Sequence, residues 1–444
     1  VTPIFKKGSK SDPCNYRPIS LTSQVSRIFE TIIKNKLMVY LDSKNLIRKD
    51  QHGFRNNRSC LTNLLDYIDL ITKLLEYSKP VDAIYLDFQK AFDKVSHYKL
   101  LTTLYSLGIT GKFFFWIKEW LKDRVQRVVI NGSQSNWSQV ASGVPQGSVL
   151  GPTLFVIFIN SLGCDIDGFL FKFADDTKLF RPVNSPSDAI LFQNDINKFV
   201  DWCDKWQLKI NIKKTAFMLL SPFSTNHITP TYYFKQIPIQ RVHTYKDLGI
   251  ITTDKLDWSD HCHSISNKAI ARINLIFRVF SFSNIPTLVQ LYCTYVRPLV
   301  ESCSPIWSPH YLKDIDTIEN VQRYFTRRLP GYSSKSYSEQ LALLNLPALE
   351  LRRIRSDLLC LYDILNCNLF TSSHSMFLFH TNSTSVSVRT RGHSRKLFIT
   401  RTKYDFTKCS FFHRVLPLWN SLSDNCVTSR SRELFKIRLD NNFL

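Results

Sequence analysis

Two adjacent carboxylates sit where a chain can least tolerate them. In Phe173-Ala174-Asp175-Asp176 the pair falls between the apolar runs Phe169-Leu170-Phe171 and Leu179-Phe180. That pattern predicts a strand-turn-strand hairpin whose charged turn lies in a greasy core. Neighbouring anions there repel each other and lose hydration, so a divalent cation is the natural counterweight. A third carboxylate, Asp87, closes another apolar strand-like run, Ala83-Ile84-Tyr85-Leu86. It lies too far upstream for a local loop, so the fold must bring the two strands side by side. Oxygen-only ligands on adjacent strands read as a Mg²⁺ site, and Mg²⁺ serves phosphoryl and nucleotidyl transfer. An Asp-Asp in isolation would be only a solvated turn.

The flanking pattern gives these strands a frame. Helical spacing over residues 26–41 (Ile28, Ile32, Ile33, Leu37, Tyr40) and 61–75 (Leu61, Leu64, Leu65, Ile68, Ile71, Leu75) predicts two amphipathic helices beside a sheet. Asn131-Gly132 after Gln126-Arg127-Val128-Val129-Ile130 predicts a tight hairpin, because Asn-Gly accepts positive φ angles. Ser187-Asp188 opens a helix with Ile196, Phe199, Val200, Cys203 and Trp206 on its apolar side, and Ala216 to Leu220 reads as a strand. Strand, helix, two-strand hairpin, helix, strand is a split βαβ unit. From about Ser259 helical spacing takes over, and Pro330-Gly331 marks a joint before the last region.

Composition narrows the partner. The chain of 444 residues is 44% hydrophobic and 21% charged, ordinary for a globular protein, but its 58 Lys+Arg against 36 Asp+Glu leave a net charge of +22. Such an excess favours a polyanion, and nucleic acid is preferred over membrane because no apolar run approaches the ~20 residues of a spanning helix. The eleven cysteines contain no Cys-x-x-Cys pair, and His261-Cys262-His263 lacks a second half at zinc-finger spacing, so reduced, buried cysteines are expected. Position 1 is Val, which reads as a fragment.

Three blocks in order carry a family resemblance. Asp87-Phe88-Gln89-Lys90-Ala91-Phe92-Asp93-Lys94-Val95, Ser142-Gly143-Val144-Pro145-Gln146-Gly147-Ser148 and Phe173-Ala174-Asp175-Asp176 resemble motifs A, B and C of reverse transcriptases, closest in wording to the jockey-like group of non-LTR (LINE-type) retrotransposons. Pro3-Ile4-Phe5-Lys6-Lys7-Gly8, Asn15-Tyr16-Arg17-Pro18-Ile19-Ser20-Leu21 and Gln51-His52-Gly53-Phe54-Arg55 through Arg58-Ser59 are similar to that family's fingers blocks. Leu208 to Met218, with Asn211 and Lys214-Thr215, resembles motif D, and Tyr245-Lys246-Asp247-Leu248-Gly249-Ile250 the primer grip. Tyr295-Val296-Arg297-Pro298, Ile306-Trp307 and Val321-Gln322-Arg323 look like its helical thumb.

The resemblance implies an α+β right-hand polymerase, with fingers and split-βαβ palm over 1–258, a helical thumb over 259–330 and a basic C-terminal region over 331–444. It implies an RNA-dependent DNA polymerase that extends a DNA primer on an RNA template from deoxynucleoside triphosphates, in the nucleus at the site of integration, with any endonuclease preceding Val1. Asp87, Asp175 and Asp176 are then catalytic and hold two Mg²⁺ ions (or Mn²⁺), the Phe88 carbonyl completing a shell. Nucleotide binding falls to Lys6 or Lys7, to Arg17, to Gln146-Gly147, and to Lys214 on the pyrophosphate, where an ordinary exposed lysine is the competing reading. Phe92 is either the aromatic that blocks a ribose 2′-hydroxyl or a core residue. Arg55 and Arg58 are candidate template-phosphate contacts, and so are Arg389, Arg391, Arg395 and Lys396, which open a run of eight cations against one anion between positions 389 and 414. The competing expectation is a decayed copy that binds nucleic acid without catalysis. Intact Asp87, Asp175, Asp176, Gln146 and Arg17 count against it. A group II intron-type maturase shares the palm, but the thumb blocks disfavour it.

Overall fold

A computed structural model of the chain describes residues 1–221, 229–280, 284–366, 369 and 393–443. They form two compact units, one drawn from Val1–Asn56, Asp82–Phe217 and Ile228–Arg241, the other from Asn57–Val81, Met218–His227 and Val242–Leu444.

The first unit opens with an antiparallel hairpin of β1 (Thr2–Phe5) and β2 (Tyr16–Ile19), in which Ile4 faces Arg17. Helix α1 (Gln24–Ser43) follows, started by Ser23, whose hydroxyl accepts the Ser26 N–H. Helix α2 (Cys60–Glu76) belongs to the second unit. Strand β3 (Val81–Leu86) is buried at every residue, as expected for a central strand. Helices α3 (His97–Ser106) and α4 (Gly111–Leu121) lead to a ribbon of four two-residue strands, β4 (Val125–Gln126), β5 (Val129–Ile130), β6 (Ser133–Gln134) and β7 (Ser138–Gln139). Between β5 and β6, Asn131 and Gly132 take φ of 48° and 84°, the double positive φ their sequence predicts.

The sheet that positions the site comes next. Helix α5 (Gly151–Phe158), buried throughout except at Pro152, precedes the hairpin of β8 (Phe169–Phe173) and β9 (Asp176–Pro182). Helix α6 (Pro186–Trp206) then leads to β10 (Ala216–Leu220), whose first two residues lie in this unit. The strand order β10-β3-β9-β8 places the first strand of the motif between the fourth and the third. This is the split βαβ unit that the sequence pattern predicts. Helix α6 starts slightly earlier than Ser187-Asp188 suggested, because Ser185 is the cap and Asp188 completes a capping box with it, Pro186 filling the first turn. Phe192, Ile196, Phe199, Val200 and Cys203 bury its apolar face, each large side chain contributing about 1.5–3 kcal/mol. A short hairpin of β11 (Tyr233–Phe234) and β12 (Ile237–Pro238) completes the unit.

The second unit is mostly helical. After the hairpin of β13 (Thr244–Asp247) and β14 (Ile250–Thr253), helix α7 (Ser259–Val279) packs on Leu312–Arg327, which also contacts Leu349–Leu365. Phe411–Asn420 and Arg432–Phe443 close over Leu349–Leu365 in turn. Arg414, one of the eight cations of the basic run, is consumed in a bidentate ion pair with buried Asp357, at 2.9 and 3.0 Å. Among the described residues no helix is long and apolar enough to cross a membrane.

Candidate active site

Strand order solves the problem that the sequence posed. Asp87 follows the last residue of β3 and Asp176 opens β9, and these strands are neighbours, so two acidic stretches remote in the chain meet at one end of the sheet. Asp175 occupies the two-residue turn with Ala174, since Phe173 pairs with Asp176. Its carboxyl is held above the ordinary Asp range, first by burial and then by the negative charge of Asp87, with Arg17 and Lys214 opposing. The neighbouring Asp87 charge makes the Asp175 anion less favourable unless cations intervene.

The turn is held by residues whose spacing in the sequence carried no warning. Ala174 takes φ of 55°, a left-handed conformation that costs a residue with a Cβ about 1 kcal/mol or more. Its N–H donates to Gln51 Oε1 at 3.0 Å, and the same oxygen accepts the Gly53 N–H at 2.7 Å. Gly53 lies so close that a Cβ there would come 2.4 Å from the Ala174 nitrogen. Asp87 is bracketed from the other side. Its backbone carbonyl accepts the Asn211 N–H at 2.8 Å, and its Oδ2 accepts both Asn211 Nδ2 at 3.0 Å and Lys214 Nζ at 2.9 Å.

A cavity of about 1710 Å³ opens over these carboxylates, lined by eight Lys and Arg residues and four Asp. The volume exceeds the ~300–1,000 Å³ typical of small-molecule sites. Lys6, Lys7, Arg17, Phe88, Phe92, Gln146, Gly147 and Lys214 all line it with Asp87, Asp175 and Asp176. The Lys6 ammonium is held below the usual lysine range by burial and then by the Arg17 and Lys214 charges. Three cations therefore share one volume and repel one another, an arrangement that a polyanion relieves.

The opposite wall is built from the Pro145–Gly151 turn. The Gln146 carbonyl accepts the Ser20 N–H at 2.6 Å, and its side-chain Nε2 donates to Asp93 Oδ1 at 3.0 Å. Gly147 has φ of 113°, and a Cβ on it would come 2.6 Å from the Ser20 carbonyl oxygen. No other residue fits there without shifting the end of β2. Buried Glu30, on α1, accepts the Val149 and Leu150 N–H groups at 2.7 and 3.2 Å and so satisfies orphan donors at the start of α5. Phe92 stacks on Phe155 with ring centres 4.4 Å apart and meets Phe54 edge-on, leaving it half-buried at the cavity wall.

Other candidates lie elsewhere. Arg55 pairs with Asp42 at 3.1 Å and donates to the Arg48 carbonyl, and it does not line the cavity. Arg58, Arg395 and Lys396 belong to the second unit, where half-buried Arg395 donates to the Val427 carbonyl at 3.4 Å. Arg389 and Arg391 lie outside the described residues. Among the described residues no three His, Cys, Asp or Glu side chains form a metal-ligating cluster. Asp87 and Asp175 act as an electrostatic pair, and Asp176 is exposed on the cavity wall. Two carboxylates with a strained anionic charge and backbone oxygen nearby fit a hard divalent cation, which takes oxygen ligands and keeps several waters.

The family model described as reverse transcriptase (RNA-dependent DNA polymerase) matches residues 4–257. The chain belongs to the reverse transcriptase family. Enzymes of that family use divalent metal ions, in keeping with the all-oxygen donor set. The RNA-directed DNA polymerase from mobile element jockey of Drosophila melanogaster is 27% identical over 341 residues, 74% of this chain and 37% of that protein. The probable RNA-directed DNA polymerase from transposon BS of the same species is 27% identical over 314 residues, 68% of this chain and 34% of that protein. This reverse transcriptase chain thus spans about a third of the length of these relatives. A solved structure of apo telomerase from Candida tropicalis is similar over 74% of this chain and 58% of that chain, at 11% identity and a TM-score of 0.42.

Proposed function

We propose that this chain is the RNA-directed DNA polymerase of a non-LTR retrotransposon, which extends a DNA primer on an RNA template from deoxynucleoside triphosphates. It works in the nucleus, where a nicked chromosomal target supplies the primer. The observation that carries this reading is the union of the Asp87–Asp175 pair with the Lys6, Arg17 and Lys214 charges around one cavity. An anion pair asks for cations, and a cation triad asks for a polyanion. A metal-bound triphosphate answers both.

The residues divide the work. Asp87 and Asp175, with Asp176 and the Phe88 carbonyl beside them, would hold two Mg²⁺ ions (or Mn²⁺), which would supply positive charge to acidify an attacking hydroxyl and to stabilise a leaving oxygen. Lys6 and Arg17 receive the triphosphate oxygens, the guanidinium as a fork and the ammonium as a point charge. Lys7, which also lines the cavity, adds to that field. Lys214, more than half exposed, exchanges Asp87 for the departing pyrophosphate. Gln146 and Gly147, in the opposite wall, face the nucleotide and template base, and Phe92 closes the ribose side.

Primer extension on a heteropolymeric RNA template with Mg²⁺ or Mn²⁺ tests this. Labelled deoxynucleotide is incorporated by the parent and not by Asp87→Asn. Parent protein without incorporation, while still binding RNA, overturns the polymerase reading.

A further inference from the structure

Asp87 has two carboxylate oxygens, and both side-chain donors that reach it converge on one of them. Asn211 Nδ2 and Lys214 Nζ bond Oδ2 at 3.0 and 2.9 Å, while Oδ1 takes no hydrogen bond among the described residues. The amide orientation of Asn211 follows from its partner: a carboxylate oxygen only accepts, so the NH₂ group must face it.

The two donors differ in permanence. Lys214 is more than half exposed at the end of a flexible chain and is free to leave. Asn211 is tied by its backbone as well. Its N–H donates to the Asp87 carbonyl at 2.8 Å, and its own carbonyl accepts the Lys214 and Thr215 N–H groups at 3.0 Å each. Next to it, Phe88 and Ile210 form an antiparallel bridge, and the Gln89 N–H donates to the Lys209 carbonyl. The segment from 209 to 211 is therefore laced to the segment from 87 to 89, and the Asn211 side chain moves with Asp87 rather than against it.

We propose that Asn211 is the positioning residue that fixes the Asp87 carboxylate, pinning Oδ2 and presenting Oδ1 to a divalent cation whether or not Lys214 is in place. This deepens the two-metal reading above and rests on it. Outer partners of metal-ligating carboxylates set the plane in which the ligand lone pairs point, and their loss typically lowers metal affinity by about 10–100-fold.

The test titrates the full chain with Mn²⁺ alone and follows the electron paramagnetic resonance signal of the free ion, with no turnover involved. Asn211→Ala is expected to weaken Mn²⁺ binding about tenfold. Asn211→His, whose Nδ1–H can stand where the amide Nδ2 stood, is expected to recover most of that loss. Asp87→Asn reports on the underlying reading. If Asp87→Asn binds Mn²⁺ as the parent does, the metal site itself is misassigned and the proposal falls with it. If Asp87→Asn weakens binding but Asn211→Ala does not, or if His fails to restore it, the positioning role alone is overturned. Thermal melts accompany each variant. Should Asn211→Ala melt well below the parent, Asn211→Ser carries the same comparison, because serine keeps the turn-starting chemistry but is too short to reach Oδ2.

Discussion

Gln51 and Ala174, remote in the chain, are joined by a 3.0 Å hydrogen bond from the alanine N–H to the glutamine side-chain oxygen. That one oxygen fixes the left-handed turn on which Asp175 stands. A buried acceptor with two backbone donors is a rigid support, because losing it leaves both N–H groups unsatisfied.

Gly53→Ala therefore gives a first prediction. The added methyl must displace the Ala174 nitrogen, and misplacement by about 1 Å near a reacting centre costs about 100-fold in rate. Incorporation per unit time is expected to fall by that order, with RNA affinity within a few-fold of the parent. Rates equal to the parent's would show that the turn tolerates movement.

Asp175→Asn keeps the shape of the side chain and removes the anion. Nucleotide incorporation is expected to vanish while RNA affinity changes by no more than a few-fold, because the substitution leaves the Lys and Arg residues outside the turn untouched. Labelled deoxynucleotide incorporation and a filter-binding titration read the two quantities separately.

Phe92→Val shortens the wall between Phe155 and the cavity. The vacated space accommodates a ribose 2′-hydroxyl, so the deoxy-to-ribo ratio of kcat/KM is expected to drop. An unchanged ratio assigns Phe92 to the stack with Phe155 alone.

Asp82 supplies a pH prediction that is independent of catalysis. Burial pushes its carboxyl up to about 7, although the Tyr232 hydroxyl donates to it and Arg241 lies near. Unfolded, it titrates near ~3.9, so between these values the folded chain binds more protons. The stability it contributes is complete below about pH 4 and is lost as pH rises through about 7, a change of about 4 kcal/mol. Urea midpoints of the parent are expected to fall between pH 5 and pH 8. Asp82→Asn, which keeps a partner for Tyr232, should flatten that fall.

Much of the palm was legible because it depends on local rules. Alternation and apolar runs marked β3, β8, β9 and β10, the Asn131-Gly132 pair marked a turn, and 3.6-residue spacing marked α1, α2 and α6. The start of α6 moved only because two nearby serines both satisfy the capping rule. The supports of the candidate site were not legible. Gln51, Glu30 and the side chain of Asn211 act through one or two hydrogen bonds each across 119 to 124 positions of chain, and a long-range bond leaves no period in the sequence. Glu30, set among Ile28, Phe29, Ile32 and Ile33, was the one available clue; Gln51 is as deeply buried but stands in the charged stretch Arg48-Lys49-Asp50 and gave none.

The Glu30 cap also sets an order of events during synthesis. Its carboxylate must be withdrawn from water in α1, yet the amides that receive it arrive 119 residues later, at Val149. Until then α1 carries a charge that cannot be buried without a large penalty, and it has to wait with that face hydrated. A nascent chain cannot complete this part of the cavity from its amino-terminal segment alone. The first turn of α5 must emerge before α1 can bury that face, so this contact waits on the closure of a long loop rather than on helix formation.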